Sequence, residues 1–179
     1  MLINKIYLTG FMTCGKSTIG PILANTLGWD YYDLDEVITE QENKSVVQIF
    51  EDSGEDYFRK IETEVLERLS KETNVVISLG GGTMTTEENV KILKLTGKIV
   101  FLDTSSENIY QRLKYKLNRP LFKDLVLENA PKSKFIARID QMLTERKVQY
   151  SQSDFCFNTD CQSIGVTVDK IANKMKKIK

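Results

Sequence analysis

Short apolar runs alternate along the chain with longer stretches in which apolar positions recur every three or four residues. The short runs, Lys5–Thr9, Trp29–Leu34, Val75–Leu79, Lys98–Asp103 and Asp154–Asn158, predict strands. The periodic stretches predict helices over Ser17–Leu27, Glu36–Glu42, Val46–Asp52, Tyr57–Lys71, Glu87–Leu95, Asn108–Leu117, Lys132–Tyr150 and Gly165–Lys176. Strands separated by helices are joined by crossover connections. The pattern therefore predicts an α/β fold with a five-stranded parallel sheet between two helical layers. No repeat, low-complexity tract or linker divides the chain, so residues 1–179 read as one domain. Lys116–Ala130 interrupts the alternation, lacks clean periodicity and contains Arg119-Pro120. A stretch of this kind is either a lid over a site or a surface excursion with one short helix.

Composition narrows the function classes. Hydrophobic residues make up 41% and charged residues 28%, as in ordinary globular proteins. Lys+Arg and Asp+Glu balance at 25 each, so no overall field favours nucleic acid or a membrane surface. Three cysteines (Cys14, Cys156, Cys161) and no histidine argue against a disulfide framework and against a typical zinc site. The opening residues lack a signal-peptide pattern, and the longest uncharged stretches fall short of the roughly 18 residues of a membrane span. A cytoplasmic location is the simplest reading. With no histidine available, any proton abstraction needs a carboxylate or another group.

The candidate chemistry begins at Gly10-Phe11-Met12-Thr13-Cys14-Gly15-Lys16-Ser17, which fits G-x-x-x-x-G-K-[ST] between a predicted strand and a predicted helix. In that context backbone N–H groups and a helix N-terminus cradle phosphates, the lysine reaches the β/γ-phosphates and the serine hydroxyl reaches Mg²⁺. Asp33-Leu34-Asp35 closes the second strand at the sheet edge where ligands bind in open α/β folds. These acids suit metal and hydroxyl binding, or one of them caps the following helix. Gly80-Gly81-Gly82 permits close approach of a small ligand to bare backbone, or close packing of helix on strand.

Two arginines fall on or beside apolar stripes. In the helix from Tyr57 the stripe is Phe58, Ile61, Val65, Leu66 and Leu69, with Glu62 inside it and Arg59 on its border. In the helix from Lys132, Arg146 projects into the face of Phe135, Ile136, Ile139, Met142 and Leu143. An inward guanidinium needs an anionic partner, either an internal acid or a substrate carboxylate.

These positions together resemble the shikimate kinase family over nearly the whole chain. The family's phosphate loop is matched by Gly10–Ala24, its D-x-D by Asp33-Leu34-Asp35, and its F-R-x-x-E by Phe58-Arg59-Lys60-Ile61-Glu62. Its S/T-x-G-G-G run is matched by Ser78–Gly82, its lid Arg-Pro by Arg119-Pro120, and its late R-x-x-x-Y by Arg146–Tyr150. The resemblance implies a P-loop, nucleoside monophosphate kinase-like fold, with a substrate-binding region at about residues 33–62 and a lid at about 112–130. It implies transfer of the γ-phosphoryl of ATP to the 3-hydroxyl of shikimate, with Mg²⁺, in a monomer without nucleic-acid or membrane partners.

Carried over, Asp35, Lys16 and Arg119 are catalytic. Gly10, Met12, Thr13, Cys14, Gly15, Lys16, Ser17, Thr18, Arg112 and Arg119 hold the nucleotide. Asp35, Arg59, Gly80, Gly81, Gly82 and Arg146 hold shikimate, and Ser17 and Asp33 hold the metal, with Ser78 behind them. Thr13 stands where the family usually has glycine, and Pro21 lies inside the first helix, where a kink is expected. The open alternatives are a kinase of another small metabolite, such as gluconate or a nucleoside monophosphate, and a nucleotide-binding module without turnover.

Overall fold

The computed structural model describes residues 3–117, 119–160 and 162–178. The chain runs β1 (Lys5–Thr9), α1 (Lys16–Leu27), β2 (Asp30–Asp33), α2 (Leu34–Glu42), α3 (Val46–Leu69) and β3 (Val75–Ser78). A 3₁₀ turn at Thr83–Thr85 precedes α4 (Glu87–Thr96), β4 (Lys98–Asp103) and α5 (Ser106–Leu113). Then come α6 (Pro120–Leu127), α7 (Lys132–Glu145), α8 (Lys147–Tyr150), β5 (Phe155–Asn158) and α9 (Ile164–Lys176).

The five strands form one parallel sheet in the order β2-β3-β1-β4-β5. From β1 the chain passes β3 to reach the β2 edge, whereas from β3 it passes β1 to reach β4. The connections diverge between β1 and β3, and in such sheets the crevice above that switch point receives the ligand. Both strands are buried along their whole length. Alternation along β1 sends Ile6 and Leu8 into a core with Ile19, Leu23, Val168 and Ile171 from α1 and α9. Tyr7 faces the opposite core with Phe58, Ile61, Val65 and Leu93 from α3 and α4. A third cluster joins Phe11 to Ile109, Leu113, Phe122, Phe135 and Ile139 of α5, α6 and α7.

Five local results refine the sequence expectations. Leu34 already belongs to α2, because the Asp33 carboxylate caps that helix by accepting from the Asp35 N–H at 3.1 Å. Asp35 is therefore helical, not a strand residue. The two helices expected over 46–52 and 57–71 are joined in α3, yet Gly54 inside it leaves the helical region at φ 81°, ψ 173°. The helix expected to continue through Arg146 stops at Glu145, with Arg146 at φ −94°, ψ 0° between α7 and α8. The aperiodic stretch contains α6, with Pro120 at its first position, where the missing N–H costs nothing. Pro21 is carried inside α1 without dividing it.

Candidate active site

A cavity of about 970 Å³ opens over the carboxyl edge of β1, β2 and β3. Its lining includes Met12, Thr13, Cys14, Gly15, Lys16, Ser17 and Thr18 from the loop after β1, and Asp33 and Asp35 from the β2–α2 junction. Arg59, Gly81, Gly82, Arg112, Arg119 and Arg146 complete the predicted set. Residues far apart in sequence meet here because parallel strands deliver every βα junction to the same edge.

Gly10 and Gly80 stand apart from that lining. Gly10 lies beneath the loop at φ 151°, where a Cβ would meet Cys14 Sγ and the Leu102 carbonyl at 2.7 Å each. Gly80 is buried behind the acids, and its Cβ would lie 2.6 Å from Asp35 Oδ1 and 3.1 Å from Glu62 Oε1. Its backbone is the wall against which the carboxylates sit.

The loop after β1 closes by a Cys14 N–H to Phe11 carbonyl bond of 3.1 Å and feeds α1 through Gly15. Lys16 Nζ donates to the Gly10 carbonyl at 2.8 Å. Thr13 takes φ 64°. A left-handed conformation costs a β-branched residue about 1–2 kcal/mol relative to glycine. Its side-chain oxygen is buried without a partner among the described residues. Its carbonyl accepts from Arg112 Nη1 at 2.8 Å, which ties α5 to the loop. Arg119 stands at the N-cap position of α6, and its Nε is a buried donor without a partner among the described residues.

Asp33 and Ser78 are register partners at the ends of β2 and β3. Between their side chains stands the Tyr31 phenol, 3.0 Å from Ser78 Oγ and 3.5 Å from Asp33 Oδ2. Burial pushes its pKa to about 12, so it remains a donor. The ring occupies space left by Gly20 on α1, where a Cβ would lie 2.3 Å from Tyr31 Cε2.

Asp35 is the strongly perturbed acid of the site. Burial, then the charges of Asp33 and Glu62, raise its pKa to about 6, with Lys16 and Arg59 opposing. A carboxylate poised near neutral pH is suited to proton transfer.

Glu62, buried inside the α3 stripe as the pattern predicted, accepts from Arg59 Nη1 at 2.7 Å and from Thr83 Oγ1 at 2.6 Å. Thr63 and Asn89 extend that network to α4. The exposed Glu55 also holds Arg59, accepting from Nε at 3.2 Å and Nη2 at 3.1 Å. Gly82 faces the guanidinium so closely that a Cβ would lie 2.4 Å from Nη2. Arg146 differs. Among the described residues it makes no ion pair, and its Cζ lies 5.6 Å from the centroid of the Phe11 ring.

Several lining residues escaped the sequence reading. Val46, Phe50, Phe58 and Leu79 give the cavity an apolar wall, and Thr159, Gln162 and Thr167 line it after β5. Phe50 and Phe58 pack across the Gly54 break with ring centroids 4.7 Å apart and planes tilted by 35°. The β5 residues were open to inference, since every parallel strand ends at the ligand edge.

Among the described residues, no three His, Cys, Asp or Glu side chains cluster as a metal site. Magnesium needs only one or two protein oxygens and keeps most of its waters, which the Ser17 hydroxyl and the Asp33 carboxylate suit. No described helix is long and apolar enough to cross a membrane.

Comparison with known proteins gives the family. The shikimate kinase family model matches residues 12–176. The shikimate kinase of Chlorobaculum parvum is 38% identical over 174 residues, covering 97% of this chain and 93% of that protein. The crystal structure of shikimate kinase from Bacteroides thetaiotaomicron superposes with a TM-score of 0.86 at 31% identity, covering 97% of this chain and 99% of that one. Shikimate kinase from Acinetobacter baumannii in complex with shikimate gives a TM-score of 0.85 at 30% identity, covering 99% of this chain and 96% of that one.

Proposed function

Because the chain belongs to the shikimate kinase family, we infer that it is an ATP-dependent kinase that transfers the γ-phosphoryl group to the 3-hydroxyl of shikimate. The observation that carries this reading is one cavity shared by a phosphate loop, a carboxylate raised to about 6, and a guanidinium without an acidic partner among the described residues. A phosphate loop alone would serve any NTPase. Arg146 beside Asp35 and Arg59 adds a place for an acceptor that bears both a carboxylate and hydroxyls.

In this reading, the backbone of Met12, Thr13, Cys14 and Gly15 and the side chains of Lys16, Ser17 and Thr18 hold the triphosphate, with Gly10 shaping the loop from beneath. Lys16 exchanges its bond to the Gly10 carbonyl for phosphate oxygens. Arg59 and Arg146 clamp the shikimate carboxylate. Gly81 and Gly82 let the ring approach backbone, with Gly80 supporting the acids from behind. Asp35 accepts a hydrogen bond from the 3-hydroxyl and takes its proton as the phosphoryl group transfers.

Lys16 and Arg119 neutralise the equatorial oxygens of the transferring group, and an Arg119 Nε without a partner among the described residues supports that role. Mg²⁺, held by Ser17 and through water by Asp33, would supply further charge neutralisation at the phosphates. Residues 112–130 act as the lid, with Arg112 over the adenine, and about 33–62 as the acceptor region of a single domain. We read the enzyme as a cytoplasmic monomer.

The test is ADP release with shikimate, gluconate or AMP as acceptor. Turnover with shikimate alone is expected, whereas turnover confined to gluconate or AMP overturns the assignment.

A further inference from the structure

Among the described residues, three arginines stand over aromatic rings. Arg59 lies 5.3 Å from the Phe58 centroid, but Glu55 and Glu62 already neutralise it. Arg138 lies 5.9 Å from the Phe122 centroid and pairs with Asp124 at 2.7 Å. Arg146 lies 5.6 Å from the Phe11 centroid and has no acidic partner among the described residues. Phe11 is 1% exposed and Arg146 half-buried, so water screens the attraction less than at the surface. For Arg146 the negative face of a ring takes the place that a carboxylate takes for the other two.

The position of Phe11 makes that contact consequential. It is the second residue of the phosphate loop, and its carbonyl accepts the bond from Cys14 that closes the loop. Its side chain is anchored away from the sheet, among Ile109, Leu113, Phe122, Phe135 and Ile139. Arg146 lies outside regular helix, between α7 and α8, so helical geometry does not fix its side chain. The ring of Phe11 constrains the guanidinium from one side, with the Tyr150 phenol and the backbone of Gly81 also close to it.

We propose that Phe11 is a positioning residue for the acceptor half of the site: its ring face holds the Arg146 guanidinium toward the substrate carboxylate, and so couples the phosphate loop to acceptor binding. This rests on the reading of Arg146 as a carboxylate clamp. Leaving an acid out of this position keeps the guanidinium's charge available to the substrate, while the ring still orients it. Any shift of the loop around Phe11 moves the ring that Arg146 rests on, so nucleotide in the loop alters affinity for the acceptor without touching it.

The test compares Phe11→Leu and Phe11→Met, which keep apolar bulk but remove the ring, in wild-type and Arg146→Ala backgrounds. Shikimate and ATP dissociation constants are measured by titration calorimetry, and melting temperatures are measured alongside. In the wild-type background both variants should weaken shikimate binding about three- to thirty-fold, the span of a desolvated cation–π contact. ATP binding measured without shikimate should change less than about two-fold. In the Arg146→Ala background the same substitutions should cost shikimate nothing further.

The Arg146 Nε–H resonance, shielded by the ring in the parent protein, should move downfield in both variants. Unchanged shikimate affinity in both variants overturns the proposal. Equal losses with and without Arg146 also overturn it, because the ring would then act through packing alone. Should Arg146→Ala itself leave shikimate binding intact, the clamp reading fails and takes the coupling with it. Shikimate loss in Arg146→Ala without loss in the Phe11 variants rejects the coupling alone.

Discussion

The two arginines of the acceptor site are held in opposite ways. Arg59 is locked by Glu62, which is fully buried, and by Glu55 at the surface, with Gly82 pressed against its plane. Arg146 rests on a ring and pairs with no acid among the described residues. A guanidinium already flanked by two carboxylates offers geometry more than attraction, because its charge is largely answered before an anion arrives. A guanidinium on an aromatic face keeps its charge for the anion. On the proposed function the two divide the labour, with Arg59 to fix where the substrate carboxylate lies and Arg146 to draw it in.

The largest effect tests whether the two serve one bound acceptor. Asp35→Ala should lower turnover by about a thousand-fold, in the range of a lost general base, while ATP affinity survives. Turnover near the parent level would remove Asp35 from the chemistry and leave the arginines without a common substrate. Next comes Arg146→Ala, which should raise the KM for shikimate about thirty-fold or more with the KM for ATP little changed. Equal losses for both substrates would return Arg146 to a structural role.

The comparison then predicts opposite thermal behaviour. Arg59→Ala strands the buried Glu62 carboxylate, which costs about 3–5 kcal/mol. Its melting temperature should fall by several degrees in calorimetry, whereas Arg146→Ala should melt at or above the parent. A fall of the same size in both would break the contrast.

The shifted acid gives a pH test. Asp35 ionises near its ordinary value in the unfolded chain but only at about 6 in the folded one. The folded state therefore retains a proton across that window, and stability declines as pH rises through it. Above the window the buried charge is a constant cost. Asp35→Asn should thus raise the melting temperature near neutral pH and change it less at about pH 4, where the folded-state carboxyl is protonated and, like the amide, uncharged. No difference between the two pH values would mean that the carboxyl is not raised. The same raised pKa predicts that parent kcat/KM for shikimate falls on the acid side of about pH 6. The smallest change belongs to Glu55→Gln, whose exposed pairing should shift the KM for shikimate by less than about three-fold.

Much of this was legible in the sequence. β1 and β4 begin and end where alternation and flanking polar residues put them, and the shared edge of the sheet follows from five parallel strands. Glu62 was visible as a carboxylate inside an apolar stripe. Asp35 was placed one element too early, because the capping bond from Asp33 that starts α2 competes with strand pairing over the same residues. α6 was hidden by its brevity and by Leu121 and Leu127, which point apolar side chains outward and blur the period. The contact of Phe11 with Arg146 had no local signal at all, since it joins opposite ends of the chain through folding alone. Thr13 was flagged as a departure, and the loop keeps a left-handed residue there in spite of the side chain.

The tight fit of Tyr31 against Gly20 sets a rule for sequence drift. With 2.3 Å between a hypothetical Cβ at 20 and the ring, the two positions do not change independently. A descendant that gains a methyl group at 20 must first shed or move the ring at 31. In doing so it gives up the phenol between Ser78 and Asp33. The helix behind the phosphate loop and the edge strand are bound to a shared history, in which one can be rewritten only after the other.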